Sequence, residues 1–134
     1  MLMTWKPELA TGVRLFDAEH KQLIAMINEL HAAMLAGHSA SATADVLRQL
    51  IDYTEVHFQH EEDALTRSGY PAAEDHRQEH EKLKARVFEF VVQNRAADGP
   101  VSAELLHFLR EWLLHHIEKT DKAYGAFLNS KGIV

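Results

Sequence analysis

Cysteine is absent from the 134 residues. That excludes disulfides, thiolate nucleophiles and thiolate-ligated zinc or iron–sulfur sites. Basic residues are scarce too: 14 Lys and Arg stand against 20 Asp and Glu, a net charge of −6, with no basic cluster. A nucleic-acid or anionic-membrane partner is therefore not expected. Long apolar runs are missing; fragments such as Phe90-Val91-Val92 and Trp112-Leu113-Leu114 fall far short of a membrane span. The N-terminus lacks a basic start followed by an apolar stretch, so no signal peptide is expected and the expected location is cytoplasmic. No linker, low-complexity tract or repeat divides the chain, which predicts one domain over residues 1–134, long enough to bury a core.

What the sequence does have is helical patterning and ten histidines. Residues 1–17 mix turn and apolar residues, among them Trp5, Pro7, Leu9, Gly12 and Phe16, and read as an ordered arm lying across the core. Asp17 is the expected N-cap of the first helix. Four amphipathic helices are expected at about 18–36, 42–66, 72–96 and 102–128. Gly37-His38-Ser39 should end the first, with Ser41 or Thr43 capping the second. Ser68-Gly69-Tyr70-Pro71 reads as a helix stop followed by a start. Ala96 to Pro100 should break the chain again before a cap at Ser102. Short loops between such helices specify an all-α, antiparallel up-down-up-down four-helix bundle with an N-terminal arm.

Each helix carries a polar residue where a core residue should stand. These are His20 on the first, His57 and Glu61 on the second, His76 and His80 on the third, and His116 on the fourth. His57/Glu61 and His76/His80 are i,i+4 pairs, so each points two donors in one direction. Antiparallel packing puts all four places at the same end of the bundle. Asp121 follows His116 by five residues, which an α-helix would turn away and a π-type turn would align. Five imidazoles and two carboxylates are too many ligands for one ion and too nitrogen-rich for calcium or magnesium. The mixture suits iron, and carboxylates can bridge two ions. With Glu61, Asp121 and an oxo or hydroxo group as bridges, five histidines complete one iron and leave the other with a vacant position. Such a vacancy, walled by apolar side chains, suits dioxygen.

The pattern H-(x)36-H-x3-E-(x)14-H-x3-H-(x)35-H-x4-D resembles the hemerythrin family, in particular its single-domain bacterial members. Trp5, Gly12, the run Asp17 to Lys21 and the Gly69-Tyr70-Pro71 loop are also similar to that family. The resemblance implies two iron ions, with His76, His80 and His116 on the saturated one, His20 and His57 on the open one, and Glu61 and Asp121 bridging. It implies reversible end-on binding of dioxygen, for storage, transport or delivery, and no enzymatic turnover. Leu23, Phe58, Trp112 and Leu113 are then expected at the oxygen pocket, with Leu114 and Ile117 bordering an access path. The alternatives are a di-iron oxidase or peroxidase and an oxygen or redox sensor, the latter needing a separate signalling partner. Glu-x-x-His motifs and a carboxylate majority mark the oxygen-activating bundles, whereas histidine dominates here. Iron storage is disfavoured because no acidic surface run suggests mineral nucleation.

His31, His38, His60, His107 and His115 are expected to be surface or structural residues. Glu62 and Asp63 are expected to be solvated or at most to orient a histidine N–H. A monomer is expected because no extra apolar helix face is evident, with dioxygen and an oxygen-consuming enzyme as partners.

Overall fold

The computed structural model describes residues 2–37, 40–96 and 103–134. Helix α1 spans Arg14–Leu35, α2 Ala40–Ser68, α3 Ala73–Ala96 and α4 Ala103–His115. A π-helical turn, His116–Asp121, joins α4 to α5, Lys122–Ser130, so α4, the turn and α5 form one continuous fourth rod. Helix α1 packs against α2 and α4, and α3 against α2 and α4, which closes the antiparallel four-rod bundle. The stops expected at His38-Ser39 and Ala97 to Pro100, and the cap at Ser102, lie outside the described residues, while Ser41 and Thr43, expected to cap the second helix, fall inside α2, which already runs from Ala40.

The first helix starts earlier than its sequence suggests. It begins at Arg14, and Asp17 lies inside its first turn. From there Asp17 Oδ1 accepts from the Thr11 amide at 2.7 Å and the Thr11 hydroxyl at 2.8 Å. It ties the arm down instead of capping the helix. The arm does lie across the core: Met3 and Leu9 are buried and Trp5 is half-buried against the large apolar cluster. Asn28 pins it further, accepting from the Met3 amide and donating to the Met3 carbonyl. Gly125 allows the arm to pass so closely that an added Cβ would stand 1.9 Å from the Thr11 carbonyl oxygen.

Between α2 and α3 the chain reverses at Gly69, whose φ of +76° suits glycine. The Tyr70 amide donates to the Leu65 carbonyl and the Gly69 amide to Thr66, which completes the C-terminal cap of α2. This reversal brings the last turns of α2 beside the first turns of α3. The core is layered along the bundle. Val13, Phe16, Leu65, Tyr124 and Leu128 close one end, and a larger cluster including Leu23, Ile27, Leu30, Leu105 and Leu113 fills the remainder. Polar side chains are buried between those two apolar layers.

Candidate metal centre

All seven donors singled out from the sequence converge in that layer, each 3 % exposed or less. His20 comes from α1, His57 and Glu61 from α2, His76 and His80 from α3, and His116 and Asp121 from the two ends of the π turn. The widened turn expected between His116 and Asp121 is present.

Both carboxylates reach in two directions. Glu61 Oε2 lies 3.3 Å from His20 Nε2 and 3.2 Å from His57 Nε2. Its other oxygen, Oε1, lies 3.4 Å from His76 Nε2 and 3.3 Å from His80 Nε2. Asp121 repeats the division, with Oδ2 3.0 Å from His20 Nε2 and Oδ1 3.0 Å from His116 Nε2 and 3.3 Å from His76 Nε2. Two clusters result, one of His76, His80, His116 and Glu61, the other of His20, His57, Glu61 and Asp121.

Two features test whether this set fits metal ions. The Nε2 atoms of His80 and His116 face each other at 3.1 Å, so two lone pairs meet unless a proton or a cation stands between them. Both Asp121 oxygens are buried and receive no aligned hydrogen bond, although three imidazole nitrogens crowd around them. Ligands about 2.1 Å from an ion and at right angles to one another lie about 3 Å apart. The donors are spaced accordingly, and imidazole with carboxylate is a first-row transition-metal set. The residues fit a pair of ions.

The electrostatics agree. Burial would push His20 down, but Asp121 and Glu61 overcome it and hold the imidazole at about 9. Burial likewise opposes the charge on His57, while Glu61 and the hydrogen bond to Glu19 raise it to about 10. Burial would raise Glu61, yet His57, His20 and His76 beside it keep the carboxyl well below its ordinary value. Two buried negative charges thus demand positive charge in their midst, from protons or from metal.

An outer ring of carboxylates holds the imidazoles from behind. Glu19 Oε1 accepts from His57 Nδ1 at 2.8 Å, and Glu62 Oε2 accepts from His80 Nδ1 at 2.9 Å. Glu79 Oε2 lies 3.1 Å from His116 Nδ1. Each of these glutamates stands next in sequence to a donor on its own helix and serves a histidine on the following one. Such contacts fix which ring nitrogen faces inward and raise ligand basicity. The expected role of Glu62 is seen, whereas Glu19 and Glu79 were not anticipated. His60, expected to be a surface or structural residue, hydrogen-bonds Glu19 Oε2 through Nδ1 at 2.6 Å and so braces that outer ring. Tyr124 was also missed; it is fully buried and its hydroxyl donates to Glu61 Oε2. Burial, then the nearby Glu61 and Asp121 charges, push that hydroxyl well above its ordinary value, so it stays a donor. Of the other histidines, His107 and His115 are exposed and His31 is half-buried away from the centre, while His38 lies outside the described residues.

Beside the centre runs an apolar groove of about 330 Å³, lined in part by Leu23, Phe58, Trp112 and Leu113. All four were expected at a pocket. Phe58 stacks on the His80 ring at 3.6 Å and Trp112 on the His116 ring at 4.3 Å, so they form the wall between groove and donors. Leu114 and Ile117, expected to border an access path, do not line it; Ile117 is fully buried in the core and Leu114 packs against it.

Residues 11–128 match the family described as Hemerythrin HHE cation binding domain. A bacteriohemerythrin of Pseudomonas aeruginosa is 37% identical over 122 residues, covering 91% of this chain and 78% of that protein. A bacteriohemerythrin of Methylococcus capsulatus is 35% identical over 130 residues, covering 96% and 98%. The crystal structure of a wild-type hemerythrin superposes with a TM-score of 0.88 at 36% identity, covering 96% of this chain and 98% of its own. In sequence and in fold, this chain belongs to the hemerythrin family.

Proposed function

We propose that the chain binds dioxygen reversibly at a pair of iron ions, storing, carrying or delivering it without turning it over. One observation carries this reading: each carboxylate turns one oxygen toward a group containing His76 and another toward a group containing His20. Glu61 and Asp121 would therefore span two ions. His76, His80 and His116 would hold one, and His20 and His57 the other, which is left one nitrogen short. Two iron ions, when bound, supply the two electrons by which dioxygen is taken up and given back.

The chain's own residues do the remainder. Glu19 and Glu62 keep two imidazoles aimed inward through hydrogen bonds, and Glu79 stands 3.1 Å behind a third. Phe58, Trp112, Leu113 and Leu23 bring an apolar wall to the centre. These four side chains carry no acid that could protonate the ligand, and they exclude the bulk water that favours oxidation. The domain extent of 1–134, a monomeric state, a cytoplasmic location and delivery to an oxygen-consuming enzyme complete the proposal. No helix among the described residues is long and apolar enough to cross a membrane.

Metal analysis of the purified protein, with optical spectra recorded anaerobically, in air and after degassing, tests the reading. Two iron ions per chain and an absorption change that reverses on degassing are expected. One ion per chain, or bleaching that no degassing restores, would count against it. His80→Ala should strip or unbalance the pair, and unchanged two-iron loading in that variant would oppose the assignment.

A further inference from the structure

We infer that Tyr124 makes the two halves of the centre unequal, so that the three-histidine half fills with metal first and the two-histidine half fills second and more weakly. The inference rests on the two-metal reading above and adds an order to it. Three observations point the same way.

The first is the hydroxyl itself. Tyr124 donates to Glu61 Oε2, the oxygen that faces His20 and His57, and not to Oε1, which faces His76 and His80. A carboxylate oxygen that already accepts a buried phenolic hydrogen bond shares its charge with that proton and is a poorer metal donor. The ring cannot swing away. Phe16 meets it edge-on at 5.6 Å, His76 lies 5.4 Å from it, and its neighbour Gly125 is pressed against the Thr11 carbonyl.

Second, the nitrogens are unevenly shared, three against two. Third, the outer carboxylates deepen the difference. On the larger half His80 and His116 both have one behind Nδ1. On the smaller half only His57 does; His20 Nδ1, like His76 Nδ1 on the larger half, is buried without a hydrogen-bond partner. The half proposed to meet dioxygen is therefore loaded last and lost first. A one-metal state stands between the empty and the working protein, and the second ion is what completes the site.

Titrating the metal-free protein with Co2+, followed by calorimetry and by the visible absorption of the bound ion, needs no oxygen chemistry. Two resolved steps are expected. In Tyr124→Phe, which keeps the ring and removes only the hydroxyl, the first step should stay in place. The second should tighten about tenfold, the worth of one hydrogen bond to a charged group. Glu19→Gln should move the second step the other way, weakening it about 10–100-fold. Wild-type protein that takes up two ions in one indistinguishable step would overturn the inference. So would a Tyr124→Phe chain in which both steps move alike, as a general packing defect would cause, or in which neither moves. Saturation at a single ion would instead sink the two-metal reading and this inference with it.

Discussion

His116 Nε2 and Asp121 Oδ1 lie 3.0 Å apart although Asp121 stands five positions further along the chain. On a regular α-helix that spacing swings the second side chain well off the first. The π turn removes the offset by spreading the same residues over a wider loop of backbone. Asp121→Asn keeps the shape and removes the charge that spans the two histidine groups. Metal content should fall from two ions per chain to one or none, with helix content by circular dichroism unchanged. Retention of two tightly held ions would show that Asp121 is not a bridge.

Glu62 tests the outer ring separately. Its carboxylate accepts from His80 Nδ1 at 2.9 Å across the α2–α3 interface. Gln at this position retains an acceptor but loses the charge that raises the imidazole's donor strength. Glu62→Gln should weaken metal binding about 10–100-fold, read by chelator competition. If the affinity does not move, the contact is ornamental.

The metal-free chain should have an unusual dependence on pH. His20 and His57 are held at about 9 and about 10 against an ordinary 6.5. A raised histidine stabilises the fold fully below its unfolded value and loses that contribution as pH climbs through its folded value. Glu61 and Asp121 are lowered, so their contribution is present above the ordinary carboxylate range and fails as pH falls. Chelated protein should therefore be most stable between about pH 5 and 6.5 and weaken steadily toward pH 10. Metal-loaded protein replaces the protons with ions and should hold its stability across that interval. Urea unfolding at pH 6 and 9.5, with and without chelator, makes the comparison. Equal stability of the chelated chain at both values would refute the charge account.

Much of this was legible in the residues because two independent patterns had to agree. Helical periodicity placed His20, His57, His76 and His116 on inward faces, and alternating chain direction placed them at one end. Even the π turn was readable, since His116 and Asp121 line up if the helix widens between them. The arm was harder. Asp17 resembles an N-cap, but tertiary hydrogen bonds to Thr11 draw it into the first turn of α1 instead. Glu19 and Glu79 escaped notice because each serves a histidine on another helix, and no single-helix pattern encodes that. Their signal was adjacency, an acid beside a donor at positions 19–20, 61–62 and 79–80. Tyr124, three residues past Asp121, had only its place on an inward stripe to recommend it.

Gly125 sets how closely the arm can lie. A Cβ there would stand 1.9 Å from the Thr11 carbonyl oxygen, which is backbone and cannot rotate aside. Gly125→Ala should cost about 1–3 kcal/mol or more in urea unfolding, the range for forced overpacking. The change should also expose the arm to limited proteolysis near Thr11. A variant as stable and as protected as the parent would mean that the arm and α5 separate freely.

Phe58 decides how dry the centre is. Its ring lies parallel to His80 at 3.6 Å and also lines the groove, so it is the thinnest part of the wall. Phe58→Leu preserves apolar character but shrinks the cover. Stability should fall by about 1–3 kcal/mol, the cost of a partly filled core site. The oxygenated protein, in contrast, should lose its reversible spectrum several times faster in air, because water and protons reach the donors that the ring had covered. Oxygen affinity should change much less than this lifetime, since no proposed metal ligand is altered. Absorbance decay of the oxygenated form, compared with an oxygen-binding curve on the same sample, separates the two quantities. If lifetime stays the same while affinity shifts, Phe58 acts on the ligand itself and not as a barrier to solvent.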